Sequence, residues 1–267
     1  MDVVEENKGI VIGGQTVVPG EEKLLSISID RLPTGTLIDI PVYVFNAKKP
    51  GPTILVQAGL HGDEINGIEI VRRMIAEKRF KINKGAVIAV PILNIFGFIH
   101  FSRDVPDGKD VNRSFPGTKT GSMASRIAYH YVTEIMHQID YGIDLHTGGG
   151  QRHNFPQIRY TGEDVMSCKL AEVFNAPISF SSKLIRGSFR NAAFVSSVAA
   201  CPSTASPKSP GKSSIELKMI IETKNNVIRP RPKRWSTVLR TGCTIFSPNA
   251  AFLVRTTISP PEMLAKA

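Results

Sequence analysis

The sequence contains no long hydrophobic run and few cysteines. Across its 267 residues, no apolar stretch approaches the ~20 residues that a membrane-spanning helix needs. The N-terminal residues MDVVEENKG lack the basic and then apolar order of a secretion signal, so we expect a cytoplasmic protein with no membrane partner. The three cysteines (Cys168, Cys201 and Cys243) are odd in number and far apart, which argues against both a disulfide framework and a cysteine-rich metal site.

Acidic residues are scarce in the last part of the chain. Residues 195–267 contain eleven Lys and Arg residues, three Glu and no Asp, so eight of the ten net positive charges lie there. The first 194 residues are therefore nearly neutral. A basic groove across the whole fold is not expected, and neither is nucleic acid as a partner.

The remaining composition is typical of a globular protein. With 42% hydrophobic and 21% charged residues, a chain of 267 residues can form one large domain, or one domain with a small appendage. Apolar runs with strand character alternate with segments of helical period, which predicts an α/β fold. The predicted elements are a hairpin over 23–46 that turns at Pro33-Thr34-Gly35, a strand over 53–58, a helix from 65, a strand over 86–93, a helix over 122–139 and a strand over 143–146.

Two potential metal ligands, His61 and Glu64, lie where the strand over 53–58 gives way to the next helix. In open α/β sheets, ligands bind at the carboxyl ends of the strands, where loops direct side chains into a crevice. His146 is a third candidate, because it ends another strand and precedes a run of glycines. Side chains alternate along a strand, so Asp144 is expected on the same face as His146, where it could support that imidazole.

His61, Glu64 and His146 would complete a catalytic zinc site, which has three protein ligands and one position open for water. Zinc at such a site lowers the pKa of water and polarises a carbonyl, as amide hydrolysis requires. The alternative is structural, because H-x-x-E pairs occur often by chance and the helix macrodipole favours Glu in a first turn. Imidazole and carboxylate ligands also fit other divalent metals.

Three segments, GLHGDEINGIE, DVNRSFPG and IDLHTGG, resemble in order and spacing the succinylglutamate desuccinylase and aspartoacylase family, relatives of the zinc carboxypeptidases. The resemblance covers residues 20–194. It implies a mixed sheet flanked by helices, and a zinc-dependent amidohydrolase that removes an acyl group from the nitrogen of an amino acid or a similar small amide. It also implies one zinc ion per chain, with His61, Glu64 and His146 as its ligands.

The resemblance further implies that Asn112 and Arg113, together with Arg190 in SFRNAAF, bind the substrate. An arginine side chain binds a carboxylate through two parallel hydrogen bonds, and Asn can add a donor. The alternative for Arg113 is a surface ion pair with Asp107 or Asp110.

The Glu that serves as general base in this family has no match between Val195 and Ile215. Glu216 follows two serines and is interpreted as a residue at a helix N-terminus, so the catalytic residue is left unassigned. Loss of a general base lowers a rate by ~10²- to 10⁴-fold. We therefore expect zinc binding with weak or absent turnover.

The sequence divides into a zinc amidohydrolase-like α/β domain over residues 1–194 and an aberrant or divergent region over residues 195–267. The second region holds eight of the 18 prolines and shows no clean strand or helix period. We predict that it is irregular and truncated, with the remnant of a β domain. It is either partly out of frame or degraded, or it is a divergent basic extension that binds anions.

Three functions remain open at this point. The first is hydrolysis of a small N-acyl amino acid or related amide. The second is a carboxypeptidase-like hydrolysis of peptides. The third is a non-catalytic protein that binds zinc or an anion.

Overall fold

The computed structural model describes residues 6–150, 152, 154–162, 164–193 and a strand at 213–218. Within these residues the chain forms a small β-ribbon, a large mixed sheet and helices on both faces of that sheet. The strands are β1 (Ile10–Ile12), β2 (Gln15–Val17), β3 (Glu22–Arg31), β4 (Leu37–Asn46), β5 (Lys49–Ala58), β6 (Lys84–Val90), β7 (Tyr141–His146), β8 (Gln157–Tyr160), β9 (Ile178–Ser181) and β10 (Ser213–Lys218). The helices are α1 (Ile65–Ala76), α2 (Ile95–His100), α3 (Met123–Tyr131) and α4 (Val165–Phe174). A short 3-10 turn covers Val111–Arg113, and a π turn over Val132–Met136 extends α3.

The elements predicted from hydrophobic periodicity are present. The hairpin pairs β3 with β4 in antiparallel register around the predicted turn. Strand β6 ends at Val90, directly before Pro91, because proline cannot donate to the sheet's hydrogen bonds. Helix α3 begins after Ser122, whose side chain accepts a hydrogen bond from the backbone N–H of Ser125, as an N-cap residue does.

The large sheet has the strand order β3-β4-β6-β5-β7-β10-β8-β9. Strands β5 and β7 are parallel neighbours, with Ala58 opposite Leu145. Their carboxyl ends therefore lie at the same edge of the sheet, which brings the segment after β5 next to the end of β7. This mixed sheet, flanked by helices, confirms the predicted fold class.

Each face of the sheet carries its own hydrophobic core. One core joins the β3–β4 hairpin and β1 to α3, and Ile127 and Tyr131 of α3 are buried in it. The other core packs α1 and α4 against the opposite face through residues such as Val71 and Leu170. The central strands are covered on both sides, which explains why β5 and β6 read as nearly continuous apolar runs.

Strand β10 lies far along the chain but enters the middle of the sheet. It pairs in parallel with β7 and antiparallel with β8. A short part of the region 195–267 thus contributes to the same sheet as the first 194 residues. The division of the chain near residue 194 stays a prediction, because residues 194–212 and 219–267 lie outside the described residues.

No helix in the part of the chain that the structure describes combines the length and the hydrophobicity of a membrane span.

Candidate metal centre

The three predicted ligands converge at the carboxyl edge of β5 and β7. His61 lies in the segment after β5, Glu64 directly precedes α1, and His146 is the last residue of β7. All three side chains are buried, with exposed fractions of 3%, 4% and 2%. Each offers one ligand atom, and these three atoms lie within 4.8 Å of one another. The parallel pairing of β5 with β7 produces this proximity between residues that are 82 positions apart.

The Glu64 carboxylate lies between the two imidazoles. Its Oε1 is 2.8 Å from His61 Nδ1, and its Oε2 is 2.8 Å from His146 Nδ1. The backbone N–H of Thr147 also donates to Oε2, at 2.8 Å. Both rings therefore direct the same nitrogen, Nδ1, toward one carboxylate.

The outer nitrogens of both rings face further carboxylates. His146 Nε2 is 2.8 Å from Asp144 Oδ2, in agreement with the predicted common face of these two residues. His61 Nε2 is 3.3 Å from Asp110 Oδ1, which is an ion-pair distance without hydrogen-bond geometry. An imidazole that binds a metal through one nitrogen usually has its other nitrogen directed at a carboxylate or carbonyl.

The electrostatics of the cluster favour a cation. Burial alone would raise the pKa of Glu64, but hydrogen bonds and charges from His146 and His61 outweigh burial and hold that pKa well below its usual range. Burial alone would lower the pKa of His146, but charges and hydrogen bonds from Asp144 and Glu64 outweigh burial and raise that pKa well above its usual value. Three carboxylates thus surround two imidazoles in a buried space. A divalent cation could replace the protons that the imidazoles otherwise hold.

The donor set fits zinc. Two imidazole nitrogens and one carboxylate match a catalytic zinc site, in which three protein ligands leave one position open. The orientation of the rings adds to this match, since each of His61 and His146 has Nδ1 toward the common centre and Nε2 toward a carboxylate.

Arg103 and Asp110 complete the site, and the sequence reasoning gave neither of them a role at the metal. The Arg103 guanidinium donates through Nε and Nη2 to Asp110 Oδ2, at 3.0 and 2.8 Å. Its Nη1 lies 3.3 Å from His61 Nδ1 and 3.7 Å from Glu64 Oε1. Burial raises the pKa of Asp110, but His61 and Arg103 together hold it well below its usual range. The sequence signal that could have identified Asp110 is its position as an acidic residue two places before Asn112. There its side chain accepts a hydrogen bond from the backbone N–H of Asn112 and caps the 3-10 turn.

Asn112 and Arg113 lie in the 3-10 turn that follows Asp110. Asn112 Oδ1 accepts a hydrogen bond from the backbone N–H of Phe189 at 2.9 Å. The side chain of Arg113 is exposed, and its Nη1 donates to the carbonyl of Asn112 at 2.6 Å. Among the described residues, Arg113 forms no ion pair with Asp107 or Asp110, and Asp110 pairs with Arg103 instead.

Arg190 follows Phe189, whose backbone contacts Asn112 of that turn, but the Arg190 side chain is buried. The backbone N–H of Phe115 donates to the carbonyl of Gly187, which docks the segment before Arg190 against the turn. Arg190 is 7% exposed, and its Nη2 donates to Ser182 Oγ at 2.8 Å and to the carbonyl of Lys183 at 2.9 Å. Its predicted contact with substrate stays a prediction.

Glu216 lies in strand β10 and not at the start of a helix, so that prediction was wrong. The backbone of Glu216 is opposite Asp144 of β7, and the backbone of Lys218 is opposite His146. The serines before Glu216 resemble a helix cap, but pairing with β7 and β8 overrides this local preference. The strand on which Glu216 lies is the direct neighbour of the strand that carries His146.

Residues 50–205 match the succinylglutamate desuccinylase/aspartoacylase catalytic domain, and this range is more than half of the chain. The chain belongs to this family. Over 126 residues it is 37% identical to N-alpha-acetyl-L-2,4-diaminobutyric acid deacetylase of Halomonas elongata, and the match spans 47% of this chain and 36% of that enzyme. The predicted family is therefore confirmed, and its named members include desuccinylases and deacetylases.

Solved structures show the same fold. An aspartoacylase family protein from Mesorhizobium loti has a TM-score of 0.63 at 24% identity, and the match covers 76% of this chain and 62% of that chain. A metallo-carboxypeptidase from Burkholderia cenocepacia has a TM-score of 0.52 at 13% identity, with 76% and 56% of the two chains covered. The catalytic domain of the desuccinylase/aspartoacylase family in this chain thus has a carboxypeptidase-like fold. The chain spans about a third of the curated relative that it matches and less than two thirds of these structures.

Proposed function

We propose that this chain is a zinc-dependent hydrolase that cleaves the amide bond of a small N-acyl amino acid. The observation that carries this proposal is the convergence of His61, Glu64 and His146, three buried donors within 4.8 Å of one another at the carboxyl edge of a parallel strand pair. Family membership supports amide hydrolysis, and the curated relative is named as a deacetylase of an acetylated diamino acid.

Two arginines have complementary parts in this proposal. When bound, zinc would supply a Lewis acid that polarises the substrate carbonyl and lowers the pKa of water. The guanidinium of Arg103 lies beside His61 and Glu64, where it would stabilise the negative charge that develops on the carbonyl oxygen. The exposed fork of Arg113 would bind the carboxylate of the amino acid.

We further propose that Glu216 is the general base. The family resemblance implies a Glu after an apolar strand that follows the SFRNAAF segment. Glu216 lies within β10, the next described strand after that segment, in register with Asp144 of the neighbouring strand β7. Glu216 would take the proton of the attacking water and return it to the leaving amine. The Glu216→Gln variant should bind zinc as the wild type does and lose ~10²- to 10⁴-fold in kcat. Wild-type turnover in this variant would rule out the assignment.

Zinc content tests the metal site. The full chain, loaded with zinc and then dialysed, should retain about one zinc per chain, as structural and catalytic zinc sites do. His146→Ala should lose it, whereas His137→Ala, which changes an exposed histidine after the π turn, should not. A wild type without zinc, or zinc retained by the His146→Ala variant, would overturn the site.

A substrate panel tests the activity. N-acetyl, N-succinyl and other N-acyl amino acids should be hydrolysed, and blocking the α-carboxylate as an amide should raise KM because Arg113 loses its partner. Short peptides belong in the same panel. Hydrolysis of peptides but not of acyl amino acids would favour the carboxypeptidase-like alternative and would refute the proposed substrate class.

A further inference from the structure

A buried polar pair lies beside the metal centre and is not explained by packing. Gln57, next to the end of β5, is completely buried, and so is Tyr131 at the end of α3. The Tyr131 hydroxyl donates a hydrogen bond to Gln57 Oε1. The Gln57 amide nitrogen, Nε2, has no hydrogen-bond partner among the described residues. A buried donor without a partner destabilises a fold, so its retention calls for an explanation.

The acceptor that this amide lacks is present on the next strand. Asp144 lies directly opposite Gln57 in the β5–β7 register, and opposed residues of adjacent strands present their side chains on the same face. One oxygen of Asp144, Oδ2, contacts His146 Nε2, and the other, Oδ1, is buried without a partner among the described residues. An orphan donor and an orphan acceptor therefore lie on facing positions.

The Asp144 carboxylate and the Tyr131 hydroxyl together determine which end of the amide faces Asp144. Burial, and then the charge of Asp144, raise the pKa of the Tyr131 hydroxyl well above its usual value, so the hydroxyl keeps its proton and can donate. Donation to Gln57 Oε1 leaves Nε2 for the other side. The opposite amide orientation would direct a carbonyl oxygen at a carboxylate, which is repulsive.

We propose that Gln57 is a positioning residue of the metal centre, whose amide links the Tyr131 hydroxyl to Asp144 Oδ1 through one buried water. The result is a continuous chain from Tyr131 through Gln57 and Asp144 to His146. It fixes the Asp144 carboxylate so that Oδ2 accepts from His146 Nε2–H. The His146 ring then presents Nδ1 as the metal ligand. The inference rests on the proposed function only in taking His146 as a ligand.

Zinc affinity of matched variants tests the link. Loss of a residue that supports a metal-binding histidine typically weakens metal binding ~10- to 100-fold, and we expect this for Gln57→Leu in competition with a chelator. Tyr131→Phe should weaken binding in the same direction but less, because it frees the amide to rotate. The control is Thr53→Val, which removes a buried hydroxyl four residues earlier on the same face of β5 and should leave the affinity unchanged.

The double variant separates positioning from general destabilisation. If both residues act through one link, Gln57→Leu with Tyr131→Phe should bind zinc no more weakly than Gln57→Leu alone. Additive losses, an unchanged affinity in Gln57→Leu, or an equal loss in Thr53→Val would each overturn the proposal. The visible spectrum of the cobalt-substituted protein should also shift in Gln57→Leu and not in Thr53→Val.

The metal-free protein provides a readout that does not depend on the proposed function. In the wild type, ¹⁵N-labelled histidine should show a slowly exchanging, hydrogen-bonded Nε2–H for His146, and Tyr131→Phe should shift that signal. This measurement applies even if Gln57→Leu fails to fold or if the wild type binds no zinc. An identical His146 signal in wild type and Tyr131→Phe would refute the link alone, whereas absence of zinc from the wild type would refute the proposed function alone.

Discussion

Gly62 lies between His61 and Glu64 in the segment HGDE (residues 61–64) and has no room for a side chain. A Cβ at this position would lie 1.8 Å from the carbonyl carbon of Gly97 and 2.1 Å from the backbone nitrogen of Phe98, in helix α2. Ordinary contacts begin near 3.4 Å. To relieve the 1.8 Å contact with Gly97, the two backbones would have to separate by about 1.6 Å. Helix α2 cannot yield easily, because Asn94 Oδ1 accepts a hydrogen bond from the N–H of Gly97. Overpacking of this kind costs ~1–3 kcal/mol, and we expect Gly62→Ala to be destabilised by about 3 kcal/mol.

The same displacement should disrupt the metal site. Zinc–nitrogen bonds are ~2.0–2.1 Å long, so a shift of His61 by more than about 1 Å would break coordination, and the affinity for zinc should fall at least 100-fold. Urea unfolding of the metal-free protein and chelator competition measure the two effects. The control is Gly14→Ala, where the Cβ meets nothing within 4 Å but the φ of +74° is unfavourable. It should cost only ~1–2 kcal/mol and leave zinc binding intact. A Gly62→Ala protein with wild-type stability and zinc affinity would refute the close approach of the HGDE segment to α2.

Two further predictions concern charged residues. Asp110→Asn should weaken zinc binding ~10- to 100-fold, because His61 and Arg103 both lose the carboxylate that orients them; a chelator titration equal to that of the wild type would contradict this. Hydrogen bonds from Arg72 and Arg73 lower the pKa of Glu69, on α1, to about 2. Arg72 is exposed and Glu69 is partly exposed, so Glu69→Gln should cost only ~0.5–1 kcal/mol at pH 7. A lowered folded-state pKa stabilises the protein above the ordinary value of 4.5 and ceases to do so as pH falls toward 2, so urea unfolding should show the difference between wild type and variant shrinking over this range. A difference that stays constant from pH 7 to pH 2.5 would show that the ion pair is not its cause.

The convergence of the three proposed ligands could be predicted because it depends on features that the sequence carries. His61 and Glu64 follow one apolar strand and His146 ends another, and the carboxyl ends of parallel strands meet at one edge of a sheet. The common face of Asp144 and His146 follows from alternation along a strand alone. Only the parallel pairing of β5 with β7 was needed to bring these local patterns together.

The supporting residues could not be predicted in the same way. Arg103 and Asp110 lie in a long polar loop whose path is set by contacts distant in sequence, such as the hydrogen bond from Asn94 to the carbonyl of Arg103. Gln57 looks like an ordinary polar interruption of a buried strand until its register partner is known. Glu216 was misassigned because its short segment has little preference of its own, and pairing with two strands determined its conformation.

The position of β10 has a consequence for how the molecule is made. Strands β7 and β8 are separated in the sheet by a strand that is synthesised later, about 50 residues after β8. During synthesis, β7 therefore has an unpaired edge until residue 218 has emerged from the ribosome. Until then, β8 and β9 can pair with each other but not with the rest of the sheet. An exposed strand border of this kind is a site for mispairing with other chains, so this interval is when the protein should depend most on chaperones.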